Sequence, residues 1–379
     1  MRGEARYHSG VSFLAELSGA VVMAPMTKGS NLPYRRLCVE LGARVTVSEM
    51  TLVRRLRQRR NSEFALIRTF AGEPCFGVQL ATIKADEAGW AAALVESRGA
   101  AFVDINFGCP IDYFTRKGLG ASLGRNPNRI RRLVEAMKRA VTRIPVTAKI
   151  RLGWSDTERN YIQQARAAVD GGADALFVHG RTRNARYRFA ADWDAIGAIA
   201  AAVPVPVVGN GDLLFPHEIE AARSRAGCAA VMVARAALIK PWIFGEALGG
   251  YRDITADERL TIYRRYAACA REHWGGDDHG LARVRTFIRW HLDFWSRYVP
   301  RHADGTFPTM QGRTAVAAAR SPLEALLSRG DAAAWDYLTE RLTLDEAVVP
   351  AEAPAAAPDV PVDPRGRRET PREALEVEG

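Results

Sequence analysis

The feature that most constrains the fold is a regular alternation of short apolar runs with helix-like segments. About eight such runs occur over roughly 230 residues, the count and length of a (β/α)8 barrel, which typically takes about 250 residues. Strands that alternate with helices pair in parallel, because each crossover helix returns the chain to the same edge of the sheet. We therefore predict an α/β protein in which residues 17–250 form a TIM barrel. The runs are 20–23, 44–48, 76–80, 102–105, 146–150, 175–178, 205–208 and 229–233.

The structural competitor is a doubly wound open sheet, which the same alternation permits. That fold commonly opens with Gly-x-Gly-x-x-Gly in a βαβ unit, with an acidic residue downstream. The sequence has no such fingerprint. The barrel is therefore favoured.

Beyond the barrel the pattern changes. Residues 255–346 are helical throughout, with segments at 258–274, 281–298, 315–327 and 332–344, and predict a small all-helical domain. Residues 347–379 are rich in Pro, Ala and charged residues and predict a disordered tail. Residues 1–16 form a polar N-terminal segment ahead of the first strand.

Charge and cysteine content bound the function. The formal net charge of +10 fits a polyanionic partner such as a nucleic acid, although an Arg-rich composition alone also produces it. The five cysteines lack Cys-x-x-Cys spacing, which argues against a disulfide framework or a zinc site and fits a reducing compartment. No apolar run reaches the ~18 residues of a membrane span, and the first residues lack the apolar core of a signal peptide. We expect a cytoplasmic protein with no membrane association and no obligate protein partner.

Polar residues follow almost every predicted strand. In a parallel barrel the C-terminal strand ends surround one opening, where the active site forms. Hydrogen-bonding or charged groups at nearly every strand end predict a binding site there, independently of any family. These residues are Met26, Thr27, Glu49, Gln79, Asn106, Cys109, Lys149, Arg151, His179, Asn210, Asp212 and Arg235.

The types of these residues favour a flavin nucleotide. Lys149 lies in an apolar strand, and a cation there needs a partner such as the electron-rich N1–C2=O edge of a flavin. Gln79 can both donate and accept, as the uracil-like edge of a flavin requires. The last two strand ends, 209–212 and 234–235, lie where barrels commonly bind phosphate. His179 fits either this site or a satisfied position in the core, and the Gly-Arg that follows it favours the site.

Cys109 follows a predicted strand in the sequence Val-Asp-Ile-Asn-Phe-Gly-Cys-Pro. Pro110 ends that strand, since proline lacks an N–H and restricts the residue before it. A cysteine at a strand end beside a glycine is placed to meet a ligand, but the residue type fits a buried structural cysteine equally well. The convergence of polar strand ends favours the reactive interpretation.

Eight short motifs occur in order along the predicted barrel: Met23-Ala-Pro-Met, Phe76-Gly-Val-Gln-Leu, Asp104-Ile-Asn-Phe-Gly-Cys-Pro, Lys117-Gly-Leu-Gly-Ala, Ala148-Lys-Ile-Arg-Leu-Gly-Trp, Val178-His-Gly-Arg-Thr, Gly209-Asn-Gly-Asp and Met232-Val-Ala-Arg. These motifs resemble those of the tRNA-dihydrouridine synthase family, whose members are flavin enzymes that reduce uridine in tRNA. They occur in the family's order and cover the whole barrel, and the helical region lies where the family has its RNA-binding domain. Residues 106–112 and 290–298 look closest to the eukaryotic branch that modifies the tRNA variable loop.

This resemblance implies the chemistry of the site and its residues. It implies reduction of the uridine C5=C6 bond with FMN and NADPH or NADH, tRNA as the partner, and Cys109 as the proton donor. Substrate contacts are implied for Asn106, Lys117, Arg151 and Arg183, and contacts with the RNA backbone for Arg116, Arg186, Arg188, Arg285, Arg289 and Arg297. Cofactor contacts are implied for Pro25, Met26, Thr27, Gln79, Lys149, His179, Asn210, Gly211, Asp212, Ala234 and Arg235.

Two positions depart from the family pattern. Ala234 stands where the family usually has Gly before Arg235, and Phe114 replaces a smaller residue in the loop after the cysteine. Neither change removes a reacting group. Ala234 makes the resemblance weaker at the phosphate site, and Phe114 makes it weaker in the loop after the cysteine.

Two other functions remain open. A flavin barrel enzyme acting on a small molecule, such as a dihydroorotate dehydrogenase or an ene-reductase, would use the same flavin chemistry. A protein that binds RNA without catalysis would share the basic surface but would hold no flavin.

Overall fold

The computed structural model describes residues 13–310 and 319–356, in which nine strands form one parallel sheet. The strands are β1 Val21–Met23, β2 Val45–Val47, β3 Thr51–Leu52, β4 Cys75–Ala81, β5 Phe102–Asn106, β6 Val146–Arg151, β7 Ala175–His179, β8 Val207–Asn210 and β9 Ala230–Val233. β1 pairs with both β2 and β9, and β2 also pairs with β4, so the sheet closes on itself. The eight-stranded barrel predicted from the alternation is confirmed, with β3 as a two-residue addition beside the end of β4.

Helices surround the barrel and continue beyond it. The helix predicted at 332–344 has the same bounds in the structure. The helices are α1 Phe13–Leu17, α2 Leu32–Glu40, α3 Val53–Arg57, α4 Asn61–Leu66, α5 Ala85–Ser97, α6 Asp112–Thr115, α7 Ala121–Gly124, α8 Pro127–Ala140, α9 Tyr161–Asp170, α10 Trp193–Ala202, α11 Pro216–Ala226, α12 Arg235–Ile239, α13 Ile243–Gly249, α14 Ala256–Trp274, α15 Asp278–Trp295, α16 Pro322–Leu327 and α17 Ala332–Leu344, followed by a 3₁₀ turn at Pro350–Glu352.

Capping side chains decide where some of the helices begin. The Asp192 side chain accepts a hydrogen bond from the N–H of Ala195 at 2.9 Å and begins α10. Asp331 does the same for α17 through the N–H of Ala334, at 3.0 Å. An aspartate at this position satisfies an N–H group that has no partner within the helix.

The interior of the barrel is apolar at one end and polar at the other. Phe102 and Phe177 fill the N-terminal end, with ring centroids 6.0 Å apart, and Phe13 of α1 covers them at 4.7 Å from Phe102. Gly77 makes room for this packing, since a Cβ on it would lie 2.1 Å from the Phe102 ring. Helix α1, Phe13–Leu17, spans the predicted boundary between residues 16 and 17 and covers this end of the barrel.

The predicted helical region packs directly on the barrel. Tyr34 of α2 stacks on His291 of α15, with ring centroids 4.0 Å apart, and meets Tyr266 of α14 edge-on at 5.4 Å. One continuous apolar core contains residues of β1, β9, α2, α12, α14 and α15. The helical region is thus fixed against one side of the barrel.

Two further predictions differ from the structure. The helix predicted at 315–327 begins at Pro322, because the Ser321 side chain caps it by accepting from the N–H of Glu324 at 3.1 Å. The tail predicted to begin at 347 is ordered to residue 356, where Arg329 donates to the carbonyl of Pro354 at 2.6 Å. The parts of these predictions on residues 311–318 and 357–379, and that on residues 1–12, lie outside the described residues. Within the described ranges, every helix is too short or too polar to cross a membrane.

Candidate active site

The strand register gathers the predicted polar residues into one layer at the C-terminal end of the barrel. Asn106 on β5 lies beside Lys149 on β6, and Arg151 on β6 lies beside His179 on β7. His179 in turn lies beside Asn210 on β8. Side chains on adjacent parallel strands at paired positions point to the same face of the sheet. Residues up to 104 positions apart in the sequence therefore share the barrel mouth.

A chain of hydrogen bonds runs through the polar end of the interior. Asp104 accepts from Thr147 Oγ1 at 2.7 Å and from Gln79 Nε2 at 2.8 Å. Gln79 Oε1 accepts from Asn106 Nδ2 at 2.7 Å. Burial raises the pKa of the Asp104 carboxyl to about 6, against the hydrogen bonds from Gln79 and Thr147 and the charge of Lys149. The side-chain amides of Gln79 and Asn106 are thus already engaged with the protein.

The loop that carries Cys109 is held in place by the last residue of this series of hydrogen bonds, Asn106. Asn106 Oδ1 accepts from the backbone N–H of Gly108 at 3.1 Å and from that of Cys109 at 2.8 Å. Arg151 braces the same loop from below, since its Nε donates to the carbonyl of Gly108 at 2.7 Å. Gly120 lies against the other side, where a Cβ would be 2.6 Å from the Cys109 carbonyl oxygen. The position of Cys109 is therefore fixed by contacts on three sides.

The thiol of Cys109 is the accessible one. Cys38, Cys75, Cys228 and Cys269 are buried, whereas Cys109 is partly exposed. Partial burial raises the pKa of the Cys109 thiol, opposed by a backbone hydrogen bond and by the charges of Arg151 and Lys149. At neutral pH the side chain is a thiol that can give up a proton.

Positive charge dominates the rest of the mouth. Lys149 Nζ donates to Asn210 Oδ1 at 3.3 Å, and burial together with the nearby Arg151 lowers the pKa of Lys149 to about 8. Burial and the surrounding cations hold the pKa of His179 well below its usual value. His179 is therefore a neutral imidazole among cations at pH 7.

The ends of β8 and β9 are joined by an acid between two arginines. Asp212 accepts from Arg181, and its Oδ1 accepts from Arg235 Nη2 at 2.8 Å. The backbone N–H of Ala191 donates to the same carboxylate at 2.7 Å. Tyr187, which is 52% exposed, covers Arg235, with its ring centroid 4.4 Å from the guanidinium carbon. These contacts bring the predicted phosphate site next to His179.

The loop after β1 forms another part of the rim. The N–H of Met26 donates to Ser30 Oγ at 2.9 Å, and the next residue, Thr27, is exposed. Glu49, at the end of β2, accepts from the N–H of Lys28 at 2.7 Å. Pro25, Met26 and Thr27, predicted as cofactor contacts, directly follow the C-terminal end of β1.

The predicted substrate residues Arg183 and Lys117 lie at the outer edge of the mouth. Arg183 pairs with Asp112, and its guanidinium carbon is 4.6 Å from the Trp154 ring centroid. Lys117 Nζ lies 3.7 Å from the Tyr113 ring centroid and is exposed. The Asp112 contact links the Cys109 loop to the loop after β7.

Three residues of the site, Asp104, Asp112 and Arg181, lie in segments quoted from the sequence but are given no role there. Asp104 stands two residues before Asn106 in the same strand, so strand alternation places both on one face. That spacing was the available signal. The pairing of Asp112 with Arg183, 71 residues away in sequence, has no local signal at all.

The comparisons with known proteins point to one family. Residues 22–293 match the family described as Dihydrouridine synthase (Dus). The chain is 38% identical over 350 residues to tRNA-dihydrouridine(47) synthase from Meyerozyma guilliermondii, covering 86% of this chain and 57% of that protein. It is 37% identical over 340 residues to the same-named protein of Cryptococcus neoformans, covering 85% of this chain and 47% of that protein. A relative from Oryza sativa, named as like this synthase, is 38% identical over 328 residues, covering 84% of this chain and 47% of that protein.

The chain spans about half the length of these curated relatives. All three names specify NAD(P)(+). The family match covers the barrel from β1 through most of α15, including every strand end described above. The chain belongs to the dihydrouridine synthase family.

Proposed function

We propose that this chain reduces the C5=C6 bond of a uridine in tRNA to 5,6-dihydrouridine, using FMN and NADPH or NADH. The single observation that supports it most is the Cys109 thiol, protonated and partly exposed, at the rim of a cation-lined barrel mouth. A proton donor beside a site for an anionic redox cofactor is what addition of hydrogen across a carbon–carbon double bond requires.

The residues at the mouth fit a flavin mononucleotide. Lys149, Arg181 and Arg235 supply positive charge, and the neutral His179 has a ring nitrogen 3.4 Å from Arg181 Nη1. Asp212 already holds both arginines in place, so a phosphate would meet a preformed site. Lys149 points into the centre, where the electron-rich edge of a ring would stabilise its charge.

Lys149, Arg181 and Arg235 would hold the flavin, which would supply, after reduction by NAD(P)H, the hydride needed at C6 of uracil. Cys109 delivers its thiol proton to C5, which saturates the double bond and leaves a thiolate that water reprotonates. Asn106 has one Nδ2 hydrogen beyond the one it gives Gln79, and this group is available to orient the uracil. The charges of Arg151 and Lys149 stabilise the thiolate left on Cys109.

A flipped nucleotide has to enter this mouth, since the reacting atoms lie inside a barrel. Exposed cations at the rim, Arg116, Lys117, Arg186 and Arg188, are placed to hold the RNA backbone around it. The helical-region arginines are weaker candidates, because Arg285 pairs with Glu340, Arg289 with Asp336 and Arg297 with Asp293.

The names of the relatives make position 47 the first uridine to examine. Five free cysteines suit the reducing cytoplasm as the place of reaction.

The test is to incubate the purified chain with tRNA lacking dihydrouridine, together with NADPH or NADH, and to map dihydrouridine by position. Cells with and without the gene provide the matching comparison. We expect bound FMN in the purified protein, dihydrouridine in tRNA, and strongly reduced product with Cys109→Ala. Unchanged dihydrouridine at every position in both experiments would contradict the proposal. Reduction of free pyrimidines without RNA would instead support a small-molecule enzyme.

A further inference from the structure

We propose that Asp104 is a positioning residue that sets the direction of the hydrogen bonds leading to Cys109. The inference rests on the proposed function only for the role of Cys109 as proton donor. Asp104 itself does not reach the mouth, since it is 0% exposed. Its effect is transmitted through the side-chain amides of Gln79 and Asn106.

The argument begins with what each group can do. An ionised carboxylate only accepts hydrogen bonds, whereas a side-chain amide donates at one end and accepts at the other. Asp104 accepts at both oxygens, from Thr147 Oγ1 at 2.7 Å and from Gln79 Nε2 at 2.8 Å. The Gln79 amide must therefore turn its NH2 group toward Asp104.

The orientation of Gln79 fixes the next amide in the chain. With its NH2 group toward Asp104, Gln79 turns Oε1 toward Asn106, which donates to it from Nδ2 at 2.7 Å. Asn106 then turns Oδ1 toward the loop and accepts from the N–H groups of Gly108 and Cys109. If Gln79 were reversed, its NH2 group would face the NH2 group of Asn106 and its oxygen would face the Asp104 carboxylate. If Asn106 reversed in response, its NH2 group would face the two N–H donors of the loop, and the loop would lose both hydrogen bonds.

The orientation of the two amides matters because both are buried. Gln79 is 1% exposed and Asn106 is 7% exposed, so water offers little compensation for a reversed amide. A buried donor that faces a donor pays the full desolvation penalty of both groups. The Asp104 carboxylate can only accept hydrogen bonds, so it allows only one orientation of the Gln79 amide beside it.

The test moves the carboxylate from residue 104 to residue 79, its neighbour in this series of hydrogen bonds. In Gln79→Glu, two carboxyl groups would face each other in place of a donor and an acceptor, and the chain would lose its defined direction. When Asp104→Asn is combined with Gln79→Glu, the new amide at position 104 donates to the new carboxylate at position 79. That carboxylate still accepts from Asn106. The double variant therefore restores the original direction at Asn106 with near-identical side-chain shapes.

The readout is the rate at which iodoacetamide alkylates Cys109 in the full chain as purified, because the four other cysteines are buried. We expect Gln79→Glu to change this rate by about tenfold, the effect of losing one buried hydrogen bond, and the double variant to return within about twofold of the parent. With tRNA, kcat should fall in Gln79→Glu and rise again in the double variant by the part of the loss that the hydrogen-bond direction causes, while KM for tRNA stays constant. A remaining loss of kcat that goes with lower flavin content belongs to the contact predicted between Gln79 and the flavin. The melting temperature reports whether each variant is folded, and the flavin content reports whether it binds the cofactor.

The outcomes separate this inference from the proposed function. Rescue of the alkylation rate in a chain with no activity on RNA would support the role of Asp104 and contradict only the proposed reaction. A double variant that folds yet alkylates and reacts no better than Gln79→Glu would overturn the inference. If Gln79→Glu fails to fold, a folded double variant with the parental alkylation rate is itself the rescue, and an unfolded one overturns the inference.

Discussion

Arg151 Nε donates to the carbonyl oxygen of Gly108 at 2.7 Å, directly beneath the loop that carries Cys109. The same guanidinium donates from Nη1 to the carbonyl of Thr182 at 3.2 Å, and Arg151 is 4% exposed. Its sequence-based assignment was a substrate contact. The structure gives it a bracing contact with the loop after β5 and another with the loop after β7.

Replacing Arg151 by Lys should slow the reaction while leaving the charge in place. Lysine cannot reach two carbonyls in the planar geometry of a guanidinium. Because hydrogen bonds to charged groups contribute about 1.5–3 kcal/mol, we expect kcat for dihydrouridine formation to fall by about 10-fold to 100-fold. Arg225→Lys is the matched control, since Arg225 forms an exposed pair with Asp194. Equal rates for both variants would contradict the bracing role.

Gly120→Ala should displace Cys109. Gly120 has φ +60, and a Cβ on it would lie 2.6 Å from the Cys109 carbonyl oxygen. Gly227→Ala is the control, since Gly227 has φ +58 but open space around its Cβ position. Both variants carry the cost of a positive φ, about 1 kcal/mol, and Gly120→Ala adds about 1–3 kcal/mol from the clash. Chemical denaturation and kcat measure the two effects, and we expect loss of kcat with Gly120→Ala alone.

The pH dependence of kcat/KM should have an alkaline limb set by Cys109. Burial raises the pKa of this thiol, so the proton-donating form persists above the ordinary titration range of cysteine. The rate should stay level through neutral pH and then fall about tenfold per pH unit above the raised pKa. Cys109→Ala should lower the plateau and remove the limb. A limb that remains in Cys109→Ala would assign the titration to another group.

FMN affinity should weaken as pH rises through about 8, because the pKa of Lys149 is lowered to about 8. Below that pH the side chain is already charged, so the Kd for FMN should be constant. Above it, binding has to restore the proton, and Kd should rise until the pH reaches the higher pKa of the bound state. Lys149→Met should weaken binding at pH 7 and abolish the dependence.

The control for this titration is Lys138→Met. Lys138 pairs with Asp174 on the outside of the barrel, away from the mouth. Fluorescence titration of FMN at several pH values measures all three proteins. An unchanged pH dependence in Lys149→Met would contradict the contact between Lys149 and the flavin.

Much of the fold could be predicted because its signals are local. Apolar runs and helix periodicity are read from neighbouring positions. The predictions failed where distant contacts decide the outcome. Phe13 belongs to the barrel because it packs on Phe102, and residues 347–356 are ordered because Arg329 and Tyr337 bind their backbone.

The same division applies to the candidate site. Strand ends rich in polar residues predicted which residues would meet, since parallel strands bring their C-terminal ends together whatever the loops do. The partner of each residue could not be predicted, because strand register and loop packing choose it. Arg183 lies against Asp112, and Gln79 lies between Asp104 and Asn106, through contacts between separate elements.

The sequence alone determined the barrel, the helical region behind it and the set of polar groups at the mouth, because periodicity and residue type are properties of short segments. The tertiary structure decided what those groups do in the folded chain. It turned Arg151 into a brace for Gly108 and made the fully buried Asp104 the start of the hydrogen bonds that hold Cys109. Those outcomes depend on which side chains of different strands lose contact with water together, and only the closed barrel fixes that.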